Sequence, residues 1–166
     1  MMQTAADIIR YLDLKPHPTC GFVSETFRSN HKVPGTWLPG GYEKARALGS
    51  VLYFLVTPEA QIKLHRIRAD QMYHYYLGDP LEVLLLYPDG KGEAKVVGPD
   101  LAKGMRPQLF IPGGTFHVSR LQRGSYSLLA TSEWPAVEPA DVEVAVPENL
   151  MIRYPAFADL IKDLCR

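Results

Sequence analysis

Between Val51 and Val146 the chain is interrupted every few residues by glycine, proline or aspartate, and the runs between are rich in β-branched and aromatic side chains. Val51–Val56, Ile62–Ile67, Met72–Tyr76, Leu81–Tyr87, Leu109–Ile111, Phe116–Leu121, Tyr126–Thr131 and Val142–Val146 have the lengths of strands rather than helices. Seven or more short strands punctuated in this way predict an all-β sandwich or barrel. The flanks differ. Thr4 and Asp7 have the spacing of a capping box ahead of Ile8, Ile9, Leu12 and Leu14, so a short helix is expected over 4–13, stopped by Pro16 and Pro18. A second is expected over 155–164, with Pro155 at its first position and Phe157, Leu160, Ile161 and Leu164 on one face. The stretch from Val33 to Gly49 has little periodicity and reads as a long loop over one mouth of the barrel.

A chain of 166 residues fits one domain, with the barrel over about 20–146. Its 18 Lys and Arg balance 18 Asp and Glu, which gives no electrostatic reason to expect nucleic acid or a membrane surface as partner. The N-terminus has no basic segment leading into an apolar core, and no apolar run approaches the ~20 residues needed to cross a bilayer. Cys20 and Cys165 form neither a disulfide framework nor a metal-ligand spacing, so a reducing, cytoplasmic setting is expected.

Chemistry concentrates in two stretches, His65 to Gly78 and Gly104 to His117. Alternate residues of a strand share a face, so His65 points with Ile67, and Gln71 points with Tyr73 and Tyr75. His117, with Thr115 and Ser119, is expected to face them from another strand. Two imidazoles, an amide and two phenols would then converge on one polar pocket. His74 has the opposite parity and is expected outside, His17 and His31 fall in expected loops, and Cys20 is expected to be a buried thiol.

These stretches resemble the paired motifs of the cupin superfamily. His65 stands at the first ligand position of the first motif, Gln71 at its glutamate and Gly78 at its turn glycine, while Ile67 occupies the second ligand position. Pro112, Gly114 and His117 meet the second motif. The resemblance is more specific to the uncharacterised subgroup labelled DUF985 or Cupin_5. It is carried by Leu14-Lys15-Pro16-His17-Pro18 through Gly21 to Glu25-Thr26-Phe27-Arg28-Ser29, by Tyr53-Phe54-Leu55, and by His65-Arg66 through Asp70 to Gly78-Asp79-Pro80-Leu81. Gly98-Pro99-Asp100-Leu101, Gly104 and Gln108 also fit, so the likeness runs along nearly the whole chain. It implies an all-β cupin jelly-roll β-barrel with short N- and C-terminal helices, and a homodimer. Two departures are Gln71 for the usual glutamate and Tyr73 for the usual tryptophan.

The functional expectation is a small polar ligand in the barrel, carbohydrate-like or nucleotide-sugar-like. Glu25, Arg28, Gln71, Gln108, Phe110 and His117 are the expected binding residues. Gly21 to Arg28 also resembles the strand with which cupin sugar-nucleotide epimerases hold substrate across a dimer interface. A metal-free isomerase or epimerase would use His65 as base and Tyr73 or Tyr75 as acid, because an imidazole titrates near neutrality. The alternatives are a metal-dependent cupin enzyme holding a divalent ion on His65, Gln71 and His117, and a binder without chemistry. An amide brings no charge to offset a cation, which weighs against the metal.

Overall fold

The computed structural model describes residues 3–165. In chain order its elements are α1 (Ala5–Tyr11), β1 (Lys15–Pro16), β2 (Phe22–Arg28), β3 (Lys32–Val33), β4 (Arg46–Ala47), β5 (Ser50–Val56), β6 (Ile62–Ile67), β7 (Asp70–Gly78), β8 (Leu81–Leu86), β9 (Gly92–Val97), β10 (Gln108–Ile111), β11 (Phe116–Leu121), β12 (Ser127–Trp134), β13 (Val142–Val144), α2 (Pro147–Arg153) and α3 (Ala158–Leu164). The Thr4 hydroxyl accepts from the Asp7 amide and the Asp7 carboxylate accepts from the Thr4 amide, so the expected capping box starts α1.

The main strands pair in nested fashion. β5 pairs with β12, β6 with β11, β7 with β10 and β8 with β9, all antiparallel. This nesting is that of a jelly roll. It yields one sheet in the order β1-β2-β5-β12-β7-β10 and a second in the order β13-β6-β11-β8-β9. The expected jelly roll is therefore present, its strands divided between two facing sheets. Near β2 they are stitched by an isolated bridge between Cys20 and Ile62 and by the Lys63 amide donating to the Thr19 carbonyl at 2.9 Å. Strand alternation sends Val83, Leu85, Ile111, Leu121 and Leu129 between the sheets, where they form the main core.

The outer faces of the sheets are treated differently. The second sheet lays Leu84, Leu86, Phe116 and Val118 under Leu150, Tyr154, Ile161 and Leu164 of the C-terminal helical region. Among the described residues the first sheet is covered across one end by α1, through Ile8, and by Leu14 just beyond it, on Leu55 and Leu128.

Two expectations are refined, and strand β9 adds to them. Pro155 opens a 3-10 turn (Pro155–Phe157), with α3 following it and α2 preceding it, because Pro147 supplies a second helix start. β9 had no clear periodicity because it is an edge strand with Glu93, Ala94, Lys95 and Val96 all at least partly exposed. The 33–49 stretch is not a plain loop. It carries β3, β4 and a 3-10 turn, and its Tyr42 ring is buried beside Arg46 and Arg68.

Gly78 ends β7 where the motif placed a turn. Its φ of +97° is left-handed, and a Cβ there would lie 2.4 Å from the Tyr126 carbonyl oxygen. Gly21 (φ +63°) is equally constrained: a Cβ would lie 2.4 Å from the Leu55 carbonyl oxygen. That close approach presses the Pro18–Cys20 segment against β5 and β6.

Candidate functional site

At one end the two sheets do not pack shut. A cavity of about 650 Å³ lies there, lined by β2, β5, β6, β7, β12 and β13 and by two connecting segments, His17–Cys20 and Val137–Pro139. The 33–49 stretch lines none of it, so these segments form the mouth expected of that loop. The second segment is anchored by a buried ion pair. Asp141 receives the Arg46 Nε and Nη2 at 3.2 and 3.0 Å, and the Glu138 amide donates to its other face at 3.0 Å.

The back wall is polar. His65 and His117 are cross-strand partners on β6 and β11, with ring centroids 4.2 Å apart. Each lies close to a backbone carbonyl oxygen through Nδ1, His65 to Lys63 at 2.7 Å and His117 to Thr115 at 3.2 Å. A neutral imidazole must donate in that geometry, which leaves Nε2 as the acceptor on both rings. Burial lowers the pKa of His65, and burial together with the neighbouring His65 lowers that of His117 much further, so both are neutral at pH 7. Gln71 bridges inward from β7: its Nε2 lies 3.4 Å from His117 Nε2 and its Oε1 accepts from Thr131 Oγ1 at 3.3 Å.

Two groups remain unspent on this wall. His65 Nε2 has no protein partner among the described residues and lines the cavity. Tyr73 is only 2% exposed, packs on Phe54 at 4.8 Å between centroids, and its hydroxyl also has no hydrogen-bond partner among the described residues. Burial raises the Tyr73 pKa well above its ordinary value, so the phenol keeps its proton. Leu52, Phe54, Val23 and Ile67 supply the apolar surface opposite.

The mouth is charged. Arg28 on β2 donates from Nε and Nη2 to Glu25 at 3.1 and 2.8 Å, from Nη1 to Glu138 at 3.1 Å, and from Nη2 to the Val137 carbonyl at 3.1 Å. Glu133 on β12 lies directly across from Gln71, lines the cavity and is 7% exposed. Its Oε2 accepts from Ser50 Oγ at 2.7 Å, and burial raises its pKa.

The structure thus gathers His65, Tyr73, Gln71, Glu25 and Arg28 around one cavity, with His117 fully buried behind Gln71. It does not bring in the other three expected residues. Tyr75 faces inward with Tyr73 but lies two residues further from the cavity, where it packs on the main core, and its hydroxyl donates to the Gly78 carbonyl at 2.6 Å. Gln108 and Phe110 pair with His74 and Met72, and cross-strand partners share a face, so both lie outside; the inward residues of β10 are Leu109 and Ile111. Gln108 Nε2 meets His74 Nδ1 at 3.1 Å on that outer face. Cys20 is half-buried at the cavity edge, its thiol pushed up to about 11 chiefly by burial, and His17 sits at the mouth. Glu133 escaped the sequence reading because β12 was ended at Thr131. Carrying the same alternation two residues further, up to Trp134-Pro135, would have found it.

The donor set does not fit a metal ion. His117 Nε2 faces the Gln71 amide, Gln71 is neutral, Ile67 replaces a ligand, and among the described residues no three His, Cys, Asp or Glu groups come together to hold one.

A jelly roll with a polar cavity reached from one end, and with the His65 and His117 motifs on neighbouring strands of one sheet, defines a cupin domain. Residues 6–145 match the family described as "Cupin superfamily (DUF985)", and the chain belongs to that family. A hypothetical protein from Leishmania major is 30% identical with a TM-score of 0.87, over 98% of each chain. Protein SO0799 from Shewanella oneidensis is 30% identical with a TM-score of 0.85, over 99% of each. The uncharacterized protein YML079W of Saccharomyces cerevisiae is 29% identical over 119 residues, 69% of this chain, and the match spans 59% of the yeast protein. No helix among the described residues is long and apolar enough to cross a membrane.

Proposed function

We propose that the protein binds a small, hydroxyl-rich, carbohydrate-like molecule in the cavity between its sheets, and that the same groups support metal-free isomerisation or epimerisation. The observation that carries this reading is the pairing of two buried, unspent groups, Tyr73 hydroxyl and His65 Nε2, on the wall of a cavity of about 650 Å³. Such a mixture of apolar wall and a few convergent polar groups is what small-molecule sites have. The protonation states suit proton transfer. His65 is neutral, so it can take a proton from a carbon next to a carbonyl, becoming an imidazolium and leaving an enediolate. Tyr73 keeps its proton, so it can deliver one to the carbon from its own side.

Calorimetric titration with neutral monosaccharides tests the binding. Saturable binding that weakens about five- to tenfold in both His65→Ala and Tyr73→Phe is expected, the scale of one hydrogen bond. Absence of binding to any saccharide would remove the reading. Deuterium uptake from heavy water at the carbon beside the carbonyl of a bound ketose tests the chemistry.

A homodimer through the bare outer face of the first sheet is part of the same proposal. Phe27, Tyr76, Phe110 and Trp134 are about half exposed there, around Met72, His74 and Ser132, and Asp70 at the rim is the one charge on β7, β10 and β12 of that face. An uncharged aromatic face of this kind favours association with its own copy. The two unpaired thiols, Cys20 and Cys165, suit a reducing compartment.

A further inference from the structure

We infer that the cavity is selective for a cationic ligand, an amino sugar or similar polyhydroxylated amine, whose ammonium group pairs with Glu133. This rests on the carbohydrate reading above and narrows it.

The argument begins with the charges that line the cavity. Three carboxylates do so, Glu25, Glu133 and Glu138, against one guanidinium, Arg28. Arg28 is already committed to Glu25 through Nε and Nη2, to Glu138 through Nη1 and to a backbone carbonyl. Both imidazoles of the back wall are neutral, no lysine lines the cavity, and nearby Asp141 is matched by Arg46. Glu133 is left with a hydroxyl donor from Ser50, the Val137 backbone amide and the field of an Arg28 that is spent on Glu25 and Glu138, with no cation in contact. A buried carboxylate in that position is costly unless a partner arrives, and an arriving ammonium is such a partner.

The acidic groups alone would say little, since carboxylates also decorate ordinary surfaces. The independent observation is Tyr73, more than nine-tenths buried, its hydroxyl without a protein partner and facing the same cavity. Its ring is on β7, next to β12, and the Glu133 charge acts on the Tyr73 phenol and on the Cys20 thiol, which places all three in one electrostatic neighbourhood. A ligand that satisfies both groups carries a positive nitrogen and, a short distance away, a hydroxyl or carbonyl oxygen. An anionic ligand fares worse. A phosphate or pyrophosphate would enter beside Glu133 with no free cation to receive it, so the nucleotide-sugar form of the expected ligand is disfavoured by the charges that line the site.

The test is a calorimetric comparison of D-glucosamine, D-glucose and D-glucose 6-phosphate on the full chain, at a pH where the amine is protonated. Glucosamine should bind about tenfold or more tighter than glucose, as expected for a charge-assisted bond, and the phosphate more weakly than either. Glu133→Gln should remove the glucosamine advantage while glucose affinity stays within about twofold. Glucose binding with no preference for glucosamine, or a preference that survives Glu133→Gln, overturns the inference and leaves the carbohydrate reading standing. Binding of none of the three overturns both. Should Glu133→Gln fail to fold, the wild-type carboxyl signal decides. Saturating glucosamine must lower the pH at which Glu133 titrates, and an unmoved titration overturns the ion pair.

Discussion

The two ends of the interior are built from the same strands and come out opposite. Along β12 the inward side chains run Leu129, Thr131, Glu133, and along β7 they run Tyr75, Tyr73, Gln71. Within four residues, about 14 Å of strand, a closed apolar core becomes a polar hollow. At the closed end Leu81, Leu121 and Leu129 belong to one core cluster with no polar atom among their side chains. At the open end an imidazole, a phenol and a carboxylate face a cavity. The difference teaches a division of labour: dense packing at one end supplies the stability that lets the other keep groups short of partners. Sites held ready for a ligand are usually maintained at such a cost.

The comparison can be broken hardest at the closed end. Leu129→Ala should cost about 2–5 kcal/mol in urea unfolding, whereas Tyr73→Phe at the open end should cost less than about 1.5 kcal/mol, since its hydroxyl has no protein partner to lose. Equal costs would mean that the cavity wall is structural. Glu133→Gln should stabilise the protein at neutral pH. Burial raises the folded-state pKa of this carboxyl above its unfolded value near 4.5, so the fold holds the proton more firmly, and stability falls as pH rises through the window between the two. The gain should therefore be present at pH 7 and vanish at pH 4, measured by paired urea melts.

The histidine pair gives the opposite sign. His65 and His117 have folded pKa values below the ordinary 6.5, so their contribution is complete above that value and is lost as pH falls beneath it. The unfolding midpoint should drop between about pH 6.5 and 5, and His117→Gln should flatten most of that slope. Trp134→Glu, on the bare outer face, should shift sedimentation from dimer to monomer with a folding change within about 1 kcal/mol. The smallest effect belongs to metal. Dialysis against a chelator should leave the melting temperature unmoved, and a fall of several degrees would restore His65, Gln71 and His117 as ligands.

Much of this division was legible in the sequence. The strand runs, the helix start at Thr4 and the inward pairing of His65 with Gln71 and Tyr73 follow from alternation and turn residues alone. What failed, failed for definable reasons. Alternation gives Tyr75 its inward face but not its depth along the strand, which sets it against the core and not at the cavity. The face of Gln108 and Phe110 was decided by the register of β10 against β7, which the sequence does not display. Glu133 was lost because a charged residue ahead of Trp134-Pro135 looks like the start of a turn, yet β12 continues through it. Edge strand β9 and helix α2 carry too little apolar periodicity to declare themselves.

The most direct test of a ligand site at the open end is a methyl and imidazole NMR titration of the wild-type protein with D-glucosamine. The account predicts that the His65 imidazole resonance shifts progressively to saturation while the methyls of Leu81, Leu121 and Leu129 stay fixed. Shifts confined to the outer face around His74, or no shift at His65 at saturating sugar, would contradict it.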